Sequence, residues 1–188
     1  SFHSFLIRTE KNNILVDACC GNGKQRLSRL DWHERDGPFL NNLSVLGVKP
    51  EDIDYVMCTH LHADHVGWNT IMENGDWVPT FPNAEYLFAE TEYNFWFDQQ
   101  SEDEDPILHG SHADSVLPVI KSGQATLVKA DHQIEAGLNF EPAPGHTPGA
   151  VILNAESEGA AAVFCGDVVH HPVQVRRPDW SSAFCEDP

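Results

Sequence analysis

The sequence predicts an α/β protein with a candidate site at the ends of its strands. Three observations favour this class. Strand-like and helix-like segments alternate along the 188 residues, several strand-like runs are apolar throughout, and histidines and aspartates follow the ends of those runs. Apolar strands covered on both faces are typical of layered α/β folds, whose strand-end loops carry the site. The length suits one domain, and we expect residues 1–188 to belong to it.

The first half of the chain predicts a hairpin followed by alternating elements. Residues 4–9 and 13–18 are short β-type runs around the polar turn EKNN. A glycine-bearing loop, a short helix in GPFLNNLSVLGV and a buried strand in IDYVM come next. Residues 75–82 are loop-like, AEYLFAE predicts a strand, and TEYNFWFDQQ predicts a helix with Thr91 as its N-cap.

The second half begins with the polar stretch SEDEDPILHGSHADS, predicted to be a surface excursion. His109 and His112 are therefore expected at the surface rather than as ligands. HADSVLPVIKSG predicts a helix, and ATLVKA, GLNFEPA and AVILNAE predict strands. The last run, AAAVFCGD, predicts a buried strand that contains Cys165 and ends at Asp167.

The charge disfavours several kinds of partner. Eleven Lys and Arg residues stand against 29 Asp and Glu residues, which gives a formal net charge of -18. That charge repels phosphate backbones and anionic lipid, so no nucleic acid and no membrane is expected as a partner. The five cysteines lack a CxxC or zinc-knuckle spacing, and the sequence shows no stretch of 18 apolar residues and no signal peptide. We expect reduced thiols in a cytoplasmic protein.

The densest polar motif is CTHLHADHVGWN, which starts at Cys58 directly after an apolar run. Imidazole nitrogens and carboxylate oxygens are the usual ligands of zinc and other borderline divalent metals. An H-x-H pair on an extended segment points both rings to one side, and the turn that follows can reach a second point. The spacing therefore suits two adjacent ions, the alternative being a polar surface lined by histidines. The motif supplies four candidate ligands: His60, His62, Asp64 and His65.

Two later segments add candidate ligands. PAPGHTPG sets His146 in a tight Pro/Gly loop, a strained arrangement for a ring without a role. VFCGDVVHH places Asp167 at the end of an apolar run, where an unpaired carboxylate would be strongly destabilising. A bound metal ion would offset that penalty.

The motifs THLHADH, PGHTPG and CGD, preceded by ILVDACCG, resemble those of the metallo-β-lactamase-fold hydrolases, in the family's order and over essentially the whole chain. The resemblance implies an αββα sandwich with the site at one edge of its two sheets. It also implies two divalent metal ions, with zinc preferred and iron or manganese as alternatives. The ligands implied are His60, His62 and His146 for the first ion, Asp64 and His65 for the second, and Asp167 as a bridge. Asp17 matches the family's strand-end aspartate, which supports the metal loop.

One ligand of the family pattern is missing. The second metal normally takes a further histidine from a C-terminal strand and loop, well beyond the bridging aspartate. After Asp167 the chain offers only His170 and His171, which lie too close for that geometry. We therefore expect a partial domain that lacks its C-terminal part and is cut at both ends, with occupancy of the second metal site left open.

The resemblance implies a hydrolase that cleaves an ester-type bond. Two divalent ions about 3.5–4 Å apart can share a water and lower its pKa towards about 7, which yields hydroxide at neutral pH. Asp64 could assist proton transfer while serving as a ligand. The expected partner is a small-molecule lactone, aryl ester or related compound, and a homodimer is left open. The alternatives are a thioesterase or phosphoesterase of the same fold, or a non-catalytic, partly metallated remnant.

Motif details favour a lactonase-like group. His62 favours hydrolases over the diiron redox branch, which tends to carry Glu there, and Asp167 disfavours the zinc β-lactamases, which carry Cys. In the lactonases a Tyr three residues past the bridging Asp contacts the substrate carbonyl, and His170 occupies that position here. We predict that His170 is a catalytic oxyanion or leaving-group partner, the alternative being a structural loop histidine.

Aromatic and basic residues suggest how a substrate could be held. Core packing is the preferred interpretation for most of the aromatic candidates, and Trp68, three residues past His65, is favoured as a pocket wall. The pair Arg176 and Arg177 could meet a substrate carboxylate, although a solvated pair is preferred. The aromatic candidates are Trp68, Trp77, Tyr93, Phe95 and Trp96.

Overall fold

The computed structural model describes residues 2–98 and 107–187. Within these ranges the strands are β1 (Phe5–Arg8), β2 (Asn13–Val16), β3 (Tyr55–Met57), β4 (Thr70–Glu73), β5 (Asp76–Pro79), β6 (Glu85–Ala89), β7 (Ala125–Val128), β8 (Gln133–Glu135), β9 (Leu138–Pro142), β10 (Val151–Ser157) and β11 (Ala160–Phe164). The α-helices are α1 (Phe39–Val45), α2 (Ala63–Val66), α3 (Glu90–Asp98) and α4 (Leu117–Ser122).

The strands form three sheets. The largest has the order β1-β2-β3-β6-β7, in which β1 and β2 are antiparallel and the other neighbours are parallel. The second is antiparallel throughout, with the order β11-β10-β9-β8. Strands β4 and β5 form a separate hairpin. Parallel strands end at one common edge, so the loops that follow β2 and β3 meet there.

Side-chain alternation along β2 explains the layering. Ile14 and Val16 point into a core cluster that contains Phe140 and Leu153, so this face packs against the second sheet. Leu15 points the other way, into a cluster to which all four α-helices contribute. The described residues therefore build three layers, helices on a sheet on a sheet, of the predicted αββα sandwich. No helix within them is long and apolar enough to cross a bilayer.

The hairpin of β1 and β2 is confirmed, with Phe5 opposite Val16. Several details of the sequence prediction are wrong. Residues 75–82 contain β5, the strands β4 and β8 were not predicted, and Thr91 is not an N-cap because α3 already begins at Glu90. Strand β11 is largely exposed rather than buried, because it lies at a sheet edge and pairs only with β10 among the described strands. Cys165 is consequently exposed as well.

Candidate metal centre

The predicted ligands come together where four strands end. Asp17 directly follows β2, and the segment that carries His60 to His65 follows β3 and runs into α2. His146 lies in the loop between β9 and β10, and Asp167 in the turn after β11. Side chains from both large sheets therefore meet at one edge of the molecule.

Three histidines form the first group of candidate ligands. His60 Nε2 lies 3.1 Å from His62 Nδ1, and His146 Nε2 lies 2.8 Å from the same nitrogen. Burial, reinforced by the neighbouring imidazoles, lowers the pKa of His60 well below its usual range and that of His62 to about 3. Burial also lowers the pKa of His146 to about 4, although Asp167 opposes it. All three rings are neutral near pH 7 and keep a lone pair for a metal ion.

His65 and Asp167 form the core of a second group. Asp17 Oδ2 lies 2.9 Å from His65 Nδ1, and the other ring nitrogen of His65 lies 3.2 Å from Asp167 Oδ1. Burial would lower the pKa of His65, but the charge of Asp17 and the hydrogen bonds to both aspartates raise it well above its usual range. Burial would raise the pKa of Asp167, but the surrounding imidazoles, His65 first, lower it to about 2.

Asp64 and His170 lie beside these groups. Asp64 Oδ2 is 3.8 Å from His65 Nε2, and burial raises the pKa of Asp64. His170 Nε2 is 3.3 Å from Asp167 Oδ2, and its ring lies 4.8 Å from that of His146. A quarter of the His170 side chain remains exposed, so its ring borders the open part of the site.

The donor set fits divalent metal ions. In a tetrahedral zinc site with Zn–N bonds of about 2.0–2.1 Å, ligand nitrogens lie roughly 3.3 Å apart, close to the spacing around His62. The donor atoms of His60, His62 and His146 all lie within 4.8 Å of one another, as do those of His60, His65 and Asp167. A third such group is His146, His170 and Cys185, and no sequence motif pointed to Cys185.

A cavity of about 400 Å³ opens over the site. Trp96 is part of its wall, whereas Trp68 is buried and stacks on Phe39 at 5.1 Å, so the choice of Trp68 as a wall was wrong. His109 lines the cavity and His112 is buried, so the expectation that both lie at the surface was also wrong. The lining residues are Arg29, Trp32, His62, Ala63, Asp64, Trp96, Leu108, His109, His146, Asp167, His170, Ala183, Phe184, Cys185 and Glu186.

The geometry agrees with a family comparison. A family model described as the metallo-beta-lactamase superfamily matches residues 3–187. The chain belongs to this superfamily. The N-acyl homoserine lactonase AiiA of Bacillus thuringiensis subsp. kurstaki is 26% identical over 176 residues, which cover 85% of this chain and 60% of the lactonase.

Two solved structures share the superfamily fold over the full length of the chain. A probable metal-dependent hydrolase from Staphylococcus aureus has a TM-score of 0.82 at 25% identity and is covered over 65% of its own length. The hydrolase AbOPH of the beta lactamase superfamily has a TM-score of 0.79 at 28% identity and is covered over 63%. The chain thus spans less than two thirds of each of these relatives.

A buried carboxylate in this superfamily member escaped the sequence prediction. Glu92 is only 1% exposed and accepts hydrogen bonds from Leu61 N at 3.0 Å, Gly149 N at 3.1 Å and Trp96 Nε1 at 2.8 Å. Leu61 lies between two candidate ligands, and Gly149 belongs to the loop of His146. Glu92 therefore ties the two histidine-bearing loops together. One feature of the sequence could have predicted the burial of Glu92. It lies four residues before Trp96, and this spacing puts both side chains on the same buried face of α3.

Close backbone packing holds the motif in place. The loop after β2 exchanges backbone hydrogen bonds with α2 and the residues that follow it, including Ala18 N to His65 O at 2.6 Å and Gly67 N to Cys19 O at 2.7 Å. A Cβ on Gly67 would lie 1.9 Å from the carbonyl carbon of Cys20, so this approach requires glycine. Asp17 has a φ of 58°, an uncommon value for a residue other than glycine and typical of functional sites.

Proposed function

We propose that the protein is a metal-dependent hydrolase that cleaves lactones or related small esters. The observation that carries the proposal is the cavity over the site, which is lined both by candidate ligands and by the apolar side chains of Trp96 and Leu108. A concave site with a few convergent polar groups and apolar walls suits a small ester with an acyl or aryl part.

Two sets of side chains would hold the metal ions. His60, His62 and His146 would bind the first. Asp64 and His65 would bind the second, with the Asp167 carboxylate between the two. Bound divalent ions would polarise a substrate carbonyl and lower the pKa of water at the site. Zinc is the preferred metal because imidazole and carboxylate donors suit it.

The remaining chemistry falls to side chains around the ligands. Asp64, whose pKa is raised by burial and which lies beside His65, would take up or release a proton. His170 Nε2, which lies close to Asp167, would donate a hydrogen bond to the carbonyl oxygen or to the leaving group. Trp96 and Leu108 would hold the acyl part and exclude water from it.

The relatives support the ester specificity. The matched Bacillus thuringiensis protein is named an N-acyl homoserine lactonase, and the Staphylococcus aureus neighbour is described as a probable metal-dependent hydrolase. At these levels of identity and coverage they support a lactone or ester as the substrate class rather than one particular substrate.

A partly metallated, non-catalytic protein is the second candidate. It is favoured by one observation: within the described residues, the group around His65 and Asp167 draws its third donor from His60, which also belongs to the first group. Such a protein would bind one metal ion well and the second weakly.

Metal analysis combined with a substrate panel separates the two candidates. The full-length gene product should contain about two equivalents of zinc, iron or manganese per chain. It should hydrolyse at least one substrate of a panel of lactones, aryl esters, thioesters and phosphotriesters, and a chelator should abolish that turnover. Asp167→Asn should lose metal and turnover, whereas Asp179→Asn, at an exposed ion pair with Arg177, should retain both. One equivalent or none, with no turnover, would support the second candidate.

A further inference from the structure

We propose that Arg29 binds a carboxylate of the substrate, so that the preferred lactones or esters carry an acidic group remote from the bond that is cleaved. The inference rests on the proposed function, because Arg29 lines the same cavity as Asp64, His146 and Asp167. It narrows the substrate class from esters in general to acidic esters.

The guanidinium of Arg29 packs against two aromatic rings. Its Cζ lies 4.7 Å from the ring centroid of Trp32 and 4.8 Å from that of Phe184, and both rings line the cavity. Aromatic rings cover the face of a guanidinium and leave the N–H groups at its rim available. Two parallel N–H donors at such a rim match the two oxygens of a carboxylate.

Among the described residues, Arg29 has no anionic partner. Its guanidinium forms no ion pair and donates no hydrogen bond to any residue whose side chain the structure describes, and its Nε is buried without a partner. Arg26 and Arg177 differ, because each is paired with an aspartate. The chain has 29 acidic and 11 basic residues, so an arginine that no described carboxylate pairs with is a candidate for a partner from outside.

The loop that carries Arg29 is anchored before any ligand arrives. Arg26 forms two hydrogen bonds with Asp114, of 2.6 and 2.8 Å, and the amide of Arg29 donates to the carbonyl of Arg26 at 2.8 Å. Ser28 Oγ lies 2.8 Å from His109 Nδ1, which ties the loop to a second lining residue. An anchored cation loses little conformational freedom on binding, so the contact can contribute fully to affinity.

The charges around the cavity favour one position for an acidic group. Among the described residues that line the cavity, Arg29 is the only lysine or arginine. Glu186 also lines the cavity but forms no ion pair with Arg29, so the guanidinium is not neutralised by it. An acidic substituent would therefore go to Arg29 while the ester lies over the candidate ligands, with the apolar part along Trp96 and Leu108.

A matched pair of esters tests the inference in the full-length, metal-loaded protein. The mono-p-nitrophenyl ester of adipic acid and p-nitrophenyl hexanoate have the same chain length and differ by the terminal carboxylate. Arg29→Gln should lower kcat/KM for the adipate ester by about ten- to hundredfold, the range for a hydrogen bond to a charged group, and change the hexanoate by less than about twofold. Arg29→Lys keeps the charge but loses the paired donors. Its kcat/KM for the adipate ester should therefore lie between that of the parent protein and that of Arg29→Gln. Arg177→Gln, at an exposed arginine, is the control and should change neither ester.

Equal effects of Arg29→Gln on both esters, or no effect on either, would overturn the inference. A binding measurement keeps it separate from the proposed function. By calorimetry, adipate should bind the parent protein about tenfold more tightly than it binds Arg29→Gln, while the uncharged hexanamide should bind both equally. Failure of the parent protein to cleave either ester would count against the proposed function alone. Equal adipate affinities would count against the role of Arg29.

Discussion

Asp17 Oδ2 and His65 Nδ1 lie 2.9 Å apart, and this hydrogen bond directs the other ring nitrogen of His65 toward Asp167. The second carboxylate oxygen of Asp17 accepts a hydrogen bond from the backbone N–H of Thr59 at 2.8 Å. One buried side chain therefore orients a candidate ligand and holds the backbone that leads to His60. Such supporting carboxylates fix the tautomer and the direction of a ligating imidazole.

Asp17→Asn should weaken binding of the second metal ion by about 10–100-fold, because the amide no longer holds the His65 tautomer. Competition with a chelating dye, in the full-length protein, measures the two affinities separately. The first ion should be affected less, since Asp17 does not contact its ligands other than through Thr59. Asp179→Asn is the control and should bind both metal ions with the affinities of the parent protein. If Asp17→Asn also bound both metal ions tightly, the role given to Asp17 would be contradicted.

The proximity of the candidate ligands could be predicted from the sequence. His60, His62, Asp64 and His65 are close because they follow one strand within six positions. His146 and Asp167 follow other strands, and strand ends in layered α/β folds meet at one edge. The hairpin and most strands were predictable for a similar reason, since period-two apolar patterns are local.

The long-range contacts could not be predicted in this way. In the sequence Glu92 looks like any other acidic residue near the start of a helix. Its role depends on contacts with two loops, and Gly149 in one of them is 57 positions away. Trp68 was favoured for the cavity by its nearness to His65 in sequence, but its ring turns into the core onto Phe39. Arg29 lies in a loop without a motif, and its place on the cavity wall depends on Asp114, 88 positions from Arg26.

Glu92→Ala should lower the free energy of unfolding by about 2–4 kcal/mol, because it leaves three buried N–H donors without an acceptor. Urea denaturation measures this loss. Metal content should fall as well, since Leu61 and Gly149 lose their common anchor. Glu92→Gln should retain only part of the stability and part of the metal content, because the amide nitrogen of glutamine cannot accept a hydrogen bond from an N–H group.

Glu90→Ala is the matched control for this experiment, because Glu90 is an exposed acid in the same first turn of α3. Glu90→Ala should lower the free energy of unfolding by less than about 1 kcal/mol, the usual size of a helix-dipole contribution. Equal losses for the two variants would show that Glu92 acts through the helix rather than through the loops.

Lys24 should make stability depend on pH. Its side chain is fully buried, with Nζ 3.4 Å from the ring centroid of Trp77 and 3.7 Å from Asp114 Oδ1. Burial lowers the pKa of Lys24 from 10.5 to about 7, although Asp114 opposes the shift. Between these values the unfolded chain binds a proton that the folded protein lacks, so this contribution to stability rises with pH, by about 1 kcal/mol per pH unit.

Lys24→Met removes this titration. The free energy of unfolding of the parent protein should therefore rise, relative to that of the variant, from about pH 7 to about pH 9. Both proteins contain the cysteine and tyrosine groups that titrate in the same range. Subtracting one free energy of unfolding from the other therefore removes the contributions of those groups. Lys121→Met, at an exposed lysine of α4, is the control. The pH dependence of its free energy of unfolding should match that of the parent protein. Parallel pH curves for Lys24→Met and the parent would contradict the depressed pKa.

His170→Ala tests the last predicted role, that of an oxyanion or leaving-group partner. On a substrate that the full-length protein cleaves, kcat should fall by about a hundredfold with little change in KM, because the contact strengthens in the transition state. Metal content should stay the same if His170 contacts the substrate, whereas a loss of metal would identify it as a ligand in the group with His146 and Cys185. His171→Ala is the control, since His171 is the exposed next residue and caps a short turn through Val173 N. An unchanged kcat/KM in His170→Ala would assign this histidine to the loop structure instead.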